Sequence, residues 1–264
     1  MISDEIREQR KKLKGQGLKA HLDYFWEYYK IQFLLVVLGL AVLIYMVNFF
    51  MSKKERVFGV TVLNVEANEE EGARTWSNDL SQDIVKLLDV DTSKERVDCD
   101  FSRYQAPGTS FNQADMATQT AILSGISSGD IDVVIMDRYN FDRYVDGGTI
   151  QDLRDVLSKK ELEKYQDQIY YIDGDTLTKS DASKDDMASE EVSEEEARKT
   201  EALDGFVKPD PTTMKDPIPA GLLVNDMPYI SKQGYYKKTV AVLGITTKTK
   251  RPNDVKKFIK MLEN

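Results

Sequence analysis

The sequence predicts an α/β protein: a single transmembrane helix, then an extracytoplasmic domain with a mostly parallel sheet flanked by helices. Three observations carry this. Ile31 to Met51 holds no formal charge, and Gln32 and Asn48 are its only strongly polar members. Beyond it, β-rich runs alternate with amphipathic ones. Finally, Ile131-Asp132-Val133-Val134-Ile135-Met136-Asp137 is almost continuously apolar, the pattern of a strand covered on both faces, as parallel sheets are built.

The first 30 residues form a basic and aromatic tail with seven Lys or Arg and five Asp or Glu. Leu18, Leu22, Phe25 and Tyr29 recur at helical spacing, which suits a helix lying on the inner leaflet before turning into the bilayer. A docking helix for a cytoplasmic partner gives the same pattern. Gly15 and Gly17 separate it from the basic segment, and Tyr24-Phe25-Trp26-Glu27-Tyr28-Tyr29-Lys30 reads as an interfacial belt.

Residues 31–51 are long enough to cross the ~30 Å hydrocarbon layer as a helix. Seven basic residues precede the span and three (Lys53, Lys54, Arg56) follow closely, so the positive-inside rule places the N-terminus in the cytoplasm and residues 52–264 outside the cell. The long basic region and the absence of a small-x-small site after Phe49-Phe50-Met51 argue for an anchor rather than a cleaved signal peptide.

The outer part, 213 residues with a net charge of −11, is long enough for one sizeable domain or two small ones, and one is the simpler expectation. Such a balance disfavours nucleic acid, which is bound through excess Lys and Arg. Cys99 is the sole cysteine, so no internal disulfide can form; it reads as a small core residue.

Val57 to Val65 predicts a strand. Trp76, Leu80, Ile84, Leu87 and Leu88 then share a helix face, and Arg96 to Phe101 predicts a short strand. Asn112 to Ile126 reads as a helix with Asn112 as N-cap, Asp115 three residues on, and Gly125 and Gly129 near its end. Thr239 to Thr246 is a second buried-type strand, and after Pro252 the residues Val255, Phe258, Ile259 and Leu262 take helical spacing. Residues 173–204 carry twelve acidic and four basic residues, which predicts a mobile external insertion with one short helix from Ser193. The acidic spacing does not fit an EF-hand loop.

Gly125-Ile126-Ser127-Ser128-Gly129 matches the form of a nucleophile elbow, but a helix precedes it and a strand follows, the reverse of what that elbow requires. No phosphate loop, dinucleotide fingerprint or His/Cys metal cluster is present, so neither a cofactor, a metal nor an enzymatic activity is expected. Asp130, Asp132 and Asp137 read as solvated strand ends, with catalysis as the rarer alternative.

The order Ile122-Leu123-Ser124-Gly125-Ile126-Ser127-Ser128-Gly129-Asp130-Ile131-Asp132-Val133-Val134-Ile135-Met136-Asp137, followed by Phe141, Tyr144, Gly147-Gly148, and Leu153, Asp155 and Leu157, resembles extracytoplasmic solute-binding proteins of bacterial ABC importers. The C-terminal VLGITTKTKRPNDVKKFIKML is similar to their closing strand and helix. The aromatic entry to the membrane also resembles that of single-span proteins of Gram-positive bacteria.

The resemblance implies one lobe of the periplasmic-binding-protein kind, with a degenerate or absent second lobe. The apolar span implies the lipid bilayer as a partner, and the resemblance implies an ABC permease or another membrane protein, with a small-molecule ligand. On this basis the chain is a binding or accessory domain contacting a transporter or envelope protein, or alternatively a solute receptor for an importer or sensor. Ligands of open parallel sheets sit beyond the carboxyl ends of the strands, so Asn64, Asp137, Arg138, Tyr139 and Asn140 are the candidate ligand-binding positions. The same positions also serve as strand and turn caps.

Overall fold

The computed structural model describes residues 17–51, 53–66, 70–108, 112–177 and 193–264. Gly15, the basic segment before it and the middle of the acidic stretch, 178–192, lie outside the described residues. The chain divides into two compact units, Met1–Lys53 and Lys54–Asn264.

In the first unit, helix α1 (Leu18–Met51) is continuous, so the amphipathic segment and the apolar run share one axis instead of meeting at a turn. No proline or glycine pair interrupts it, and Phe25 packs its ring against Tyr29 and Phe33 across successive turns. Tyr29–Phe49, with mean hydropathy 2.4, is long and apolar enough to cross a membrane.

The second unit runs β1 (Glu55–Leu63), α2 (Glu70–Leu88), β2 (Glu95–Arg103), α3 (Gln113–Ser128), β3 (Val133–Asp137) and α4 (Arg138–Asp146). It continues with α5 (Lys159–Lys164), β4 (Ile169–Asp173), α6 (Glu194–Glu201), β5 (Pro217–Leu223), α7 (Pro228–Gln233), β6 (Ala241–Ile245) and α8 (Pro252–Leu262). The predicted helix ends hold well. Asn112 and Asp115 form a reciprocal capping box at the start of α3, and Gly129 closes that helix with φ 74°, so the glycines are a helix stop and not an elbow.

One sheet of six strands results, in the order β2-β1-β3-β6-β5-β4. Strand β1 pairs parallel with β2 and β3, but β3–β6, β6–β5 and β5–β4 are antiparallel, so the sheet is mixed and not mostly parallel. The reason is physical: an unbroken apolar run reports coverage on both faces, not direction. Strand β6 is buried at all five positions and still runs antiparallel to both neighbours. Strands β4 and β5 escape the sequence pattern because Pro217, Pro219 and Gly221 interrupt the second of them.

Each face of the sheet has its own core. Phe58, Val60 and Val62 pack with Leu80 and Ile84 of α2 and with Val255, Phe258, Ile259 and Leu262 of α8. Full burial of each such side chain contributes about 1.5–3 kcal/mol. On the opposite face Val134, Met136 and Val242 meet Ile122 and Ile126 of α3 and Phe141 and Tyr144 of α4. Gly221 and Gly244 are needed there, because a Cβ on either would come within 2.6–2.7 Å of the Phe141 ring. Cys99 is half-buried against the first core, and that burial, with Asp98 nearby, raises its thiol pKa and keeps it neutral.

The described end of the acidic stretch, from Ser193 on, is folded. Ser193 caps α6 as the sequence predicts, but Ala197 is fully buried, α6 packs on α4, and Ala202 bridges Thr239. Residues 193–202 thus pack against the rest of this unit.

Candidate functional site

Strand β3 ends in a buried carboxylate on either side. At its amino end Asp132 is fully buried and takes two hydrogen bonds from Arg251 (3.1 and 3.0 Å), one from Thr249 Oγ1 (2.6 Å) and one from Gly59 N (3.0 Å). Arg251 also donates to the carbonyls of Gly129 and Arg56, tying α8 to the sheet.

At the carboxyl end Asp137, also fully buried, has amide donors instead: Asn140 N (2.9 Å), Asn140 Nδ2 (3.0 Å) and Asn64 Nδ2 (2.8 Å). Neither Asp132 nor Asp137 is the solvated strand end that the sequence suggested; long-range donors allow burial that a linear reading cannot see. Asp130 is half-buried and pairs with Arg56 at 2.8 Å; a Ser128 hydroxyl bond and that guanidinium hold its carboxyl low.

Three of the five sequence-predicted positions thus meet. Asn64, held at φ 55°, donates to Gln105 O (2.7 Å) and accepts from Gln105 N (2.8 Å), while Asn140 Nδ2 also reaches Gln105 O (3.1 Å). Tyr144 donates to Gln105 Oε1 (3.0 Å), whereas buried Gln105 Nε2 has no partner among the described residues. Arg138 and Tyr139 lie apart from this cluster. Arg138 donates to Tyr170 OH (3.0 Å) and Tyr139 lies under the Arg143 guanidinium. Gln105 is the member that sequence reasoning missed, since nothing local marks it.

A second polar region lies along β2. Its alternation Arg96, Asp98, Asp100, Ser102 puts polar side chains on one face, a signal visible in the sequence. Two adjoining cavities of about 680 and 670 Å³ wrap this strand and share Ser77, Asn78, Asp100 and Arg103. Ser77 and Ser81 of α2 donate to the carbonyls of Cys99 and Val97, covering part of the strand's free edge. Arg56 pairs with Asp98 as well as Asp130, and Arg103 with Asp100 at 2.6 Å. Burial pulls the Asp100 pKa upward, but hydrogen bonds from Ser102 and the Arg103 charge outweigh it and hold the group low. Among the described residues no group of His, Cys, Asp and Glu is placed to hold a metal.

No protein-family model matches the chain, and no curated protein matches it in sequence. A solved structure described as the substrate binding domain of a molybdenum ABC transporter from Clostridium difficile aligns over 80% of this chain and 93% of that one, with 12% identity and a TM-score of 0.30. A likeness at that level carries no argument about ligand or partner.

Proposed function

We propose that the chain is a membrane-anchored, non-enzymatic binding domain held outside the cell, and that it takes a small solute along the outer edge of β2. The supporting observation is the pair of adjoining cavities there, each within the ~300–1,000 Å³ typical of small-molecule sites. Cavities of that shape favour solute capture over an accessory contact with a transporter or other envelope protein, which would call for a broad surface. The carboxyl-edge positions Asn64, Asp137 and Asn140 act in this reading as the clasp that sets the strand ends. The apolar Tyr29–Phe49 segment and the seven-to-three basic asymmetry across it support the anchoring and orientation.

Two experiments test this. Full-length protein in lipid nanodiscs is melted against sugars, amino acids and inorganic oxyanions; a saturable rise in Tm with some member, lost in Asn78→Trp, is expected. No rise with any of them would contradict solute capture. For orientation, a Cys99→Ser protein carrying Ser102→Cys reacts with a membrane-impermeant maleimide on intact cells; labelling only after lysis would contradict the outward placement.

A further inference from the structure

One stretch of the sheet is polar where a core would be expected. On the face covered by α3, β1 presents Gly59 and Thr61, opposite Asp98 and Asp100 of β2. The facing turns of α3 carry Ala121, Ser124 and Ser128, whose short side chains leave the 680 Å³ cavity open. Thr61 is 3% exposed and lines this cavity; its hydroxyl has no hydrogen-bond partner among the described residues and is not sealed from solvent, so it opens onto the cavity.

Valine has the same shape as threonine, so at this position the hydroxyl adds to the cavity wall a donor and an acceptor that the sheet itself does not use. The flanking positions Val60 and Val62 are valines. An edge strand kept polar to prevent pairing explains Asp98 and Asp100, but Thr61 lies on the inner strand β1, where no such need exists.

The charges narrow the ligand. Arg56 and Arg96 pair with Asp98, Arg56 also with Asp130, and Arg103 with Asp100, so three guanidiniums meet three carboxylates and an ion entering the trough finds no uncompensated counter-charge and loses its hydration. A neutral molecule rich in hydroxyls can instead donate to the carboxylate oxygens and accept from Thr61, Ser124 and Asn78. None of the lining residues is aromatic, so recognition rests on hydrogen bonds, not ring stacking. We propose that this trough binds a small, neutral, polyhydroxylated molecule of the saccharide or polyol class, with the Thr61 hydroxyl as an anchoring contact. The proposal names the ligand class for the binding reading above and rests on it.

The test uses full-length protein in nanodiscs, titrated calorimetrically with neutral monosaccharides, disaccharides and acyclic polyols, and separately with amino acids and inorganic oxyanions. Saturable binding of at least one neutral member is expected. Thr61→Val should weaken it about tenfold, the equivalent of ~1.4 kcal/mol, while the unliganded Tm stays level or rises. Ser124→Trp, which fills the trough, should abolish it; if that variant does not fold, Thr61→Val decides alone. Absence of binding by every neutral member, or equal binding in parent and Thr61→Val, overturns the proposal. Binding by amino acids or oxyanions alone overturns the ligand class but leaves the binding domain standing.

Discussion

The carboxyl end of β3 and the trough over β1 and β2 are both polar and both buried in part, yet the groups of the first converge on one another whereas those of the second line a cavity. Around Asp137 the donors of Asn64 and Asn140 converge on the carboxylate and on the Gln105 backbone. In the trough Thr61 faces a cavity with its hydroxyl unused. Polar groups that close on one another fix a fold, although Gln105 Nε2 at the carboxyl end stays buried without a partner among the described residues; a hydroxyl that opens onto a cavity stays available to a ligand. On the reading proposed above the ligand site lies along the side of the sheet, and of the carboxyl-edge positions Asn64 lines the second cavity.

The largest test of the closed side is its removal. Asp137→Ala strands the Asn64 and Asn140 donors at about 1–3 kcal/mol each, so a loss on the order of 3 kcal/mol or more is expected in chemical denaturation. Asp132→Ala, which leaves Arg251 without its carboxylate, should cost about 3–5 kcal/mol. The two ends then part: adding Arg251→Met to the Asp132 variant should recover much of the loss, because it removes the unpaired charge, whereas Asn64→Ala should not rescue Asp137→Ala to a similar degree. Equal rescue at both ends would erase the distinction between an ion pair and an amide cluster.

A smaller effect is expected where the acidic stretch meets the same side. Tyr104, next to Gln105 in the chain, accepts from Arg198 (2.6 Å), and Ala197 is fully buried where α6 packs on α4. Ala197→Glu should therefore cost about 1–3 kcal/mol and expose α6 to protease, without changing solute binding in the trough. No change in stability would mean that the docked helix is an ornament and the whole stretch is dispensable.

The smallest effect is a pH dependence. Burial pushes the Asp142 carboxyl up to about 6, only partly offset by the Tyr170 hydrogen bond and Arg138. Asp146 nearby is raised by burial as well. A raised acid favours the folded state in its protonated form, so this contribution is complete below the ordinary carboxylate pKa and is lost as pH rises through about 6. With 36% of the Asp142 side chain exposed, screening limits it to about 1 kcal/mol. Asp142→Asn should stabilise the protein at pH 7 and flatten its Tm between pH 4 and pH 7, the window in which about 1 kcal/mol is lost in the parent.

Much of the fold was legible. The caps of α3 and α6, the buried runs of β3 and β6 and the apolar face of α8 follow from local chemistry, which a linear reading captures. Sheet direction did not follow, because burial of β6 is blind to it, and β4 and β5 were hidden behind prolines and a glycine. The candidate site was legible only as positions. Asn64 and Asp137 were identified as strand ends, but their hydrogen bond joins residues 73 apart, and Gln105 enters from a third loop. Thr61 was invisible inside the run VFGVTVLNV, where a lone hydroxyl looks like one more β-former.

Hydrogen exchange read by mass spectrometry on full-length protein in nanodiscs, with and without a bound solute, tests the central claim most directly. The predicted result is new protection in peptides covering 56–61, 96–103 and 121–130, with 137–144 unchanged. Protection confined to 137–144 and the chain around Gln105 would return the site to the carboxyl edge and contradict the account.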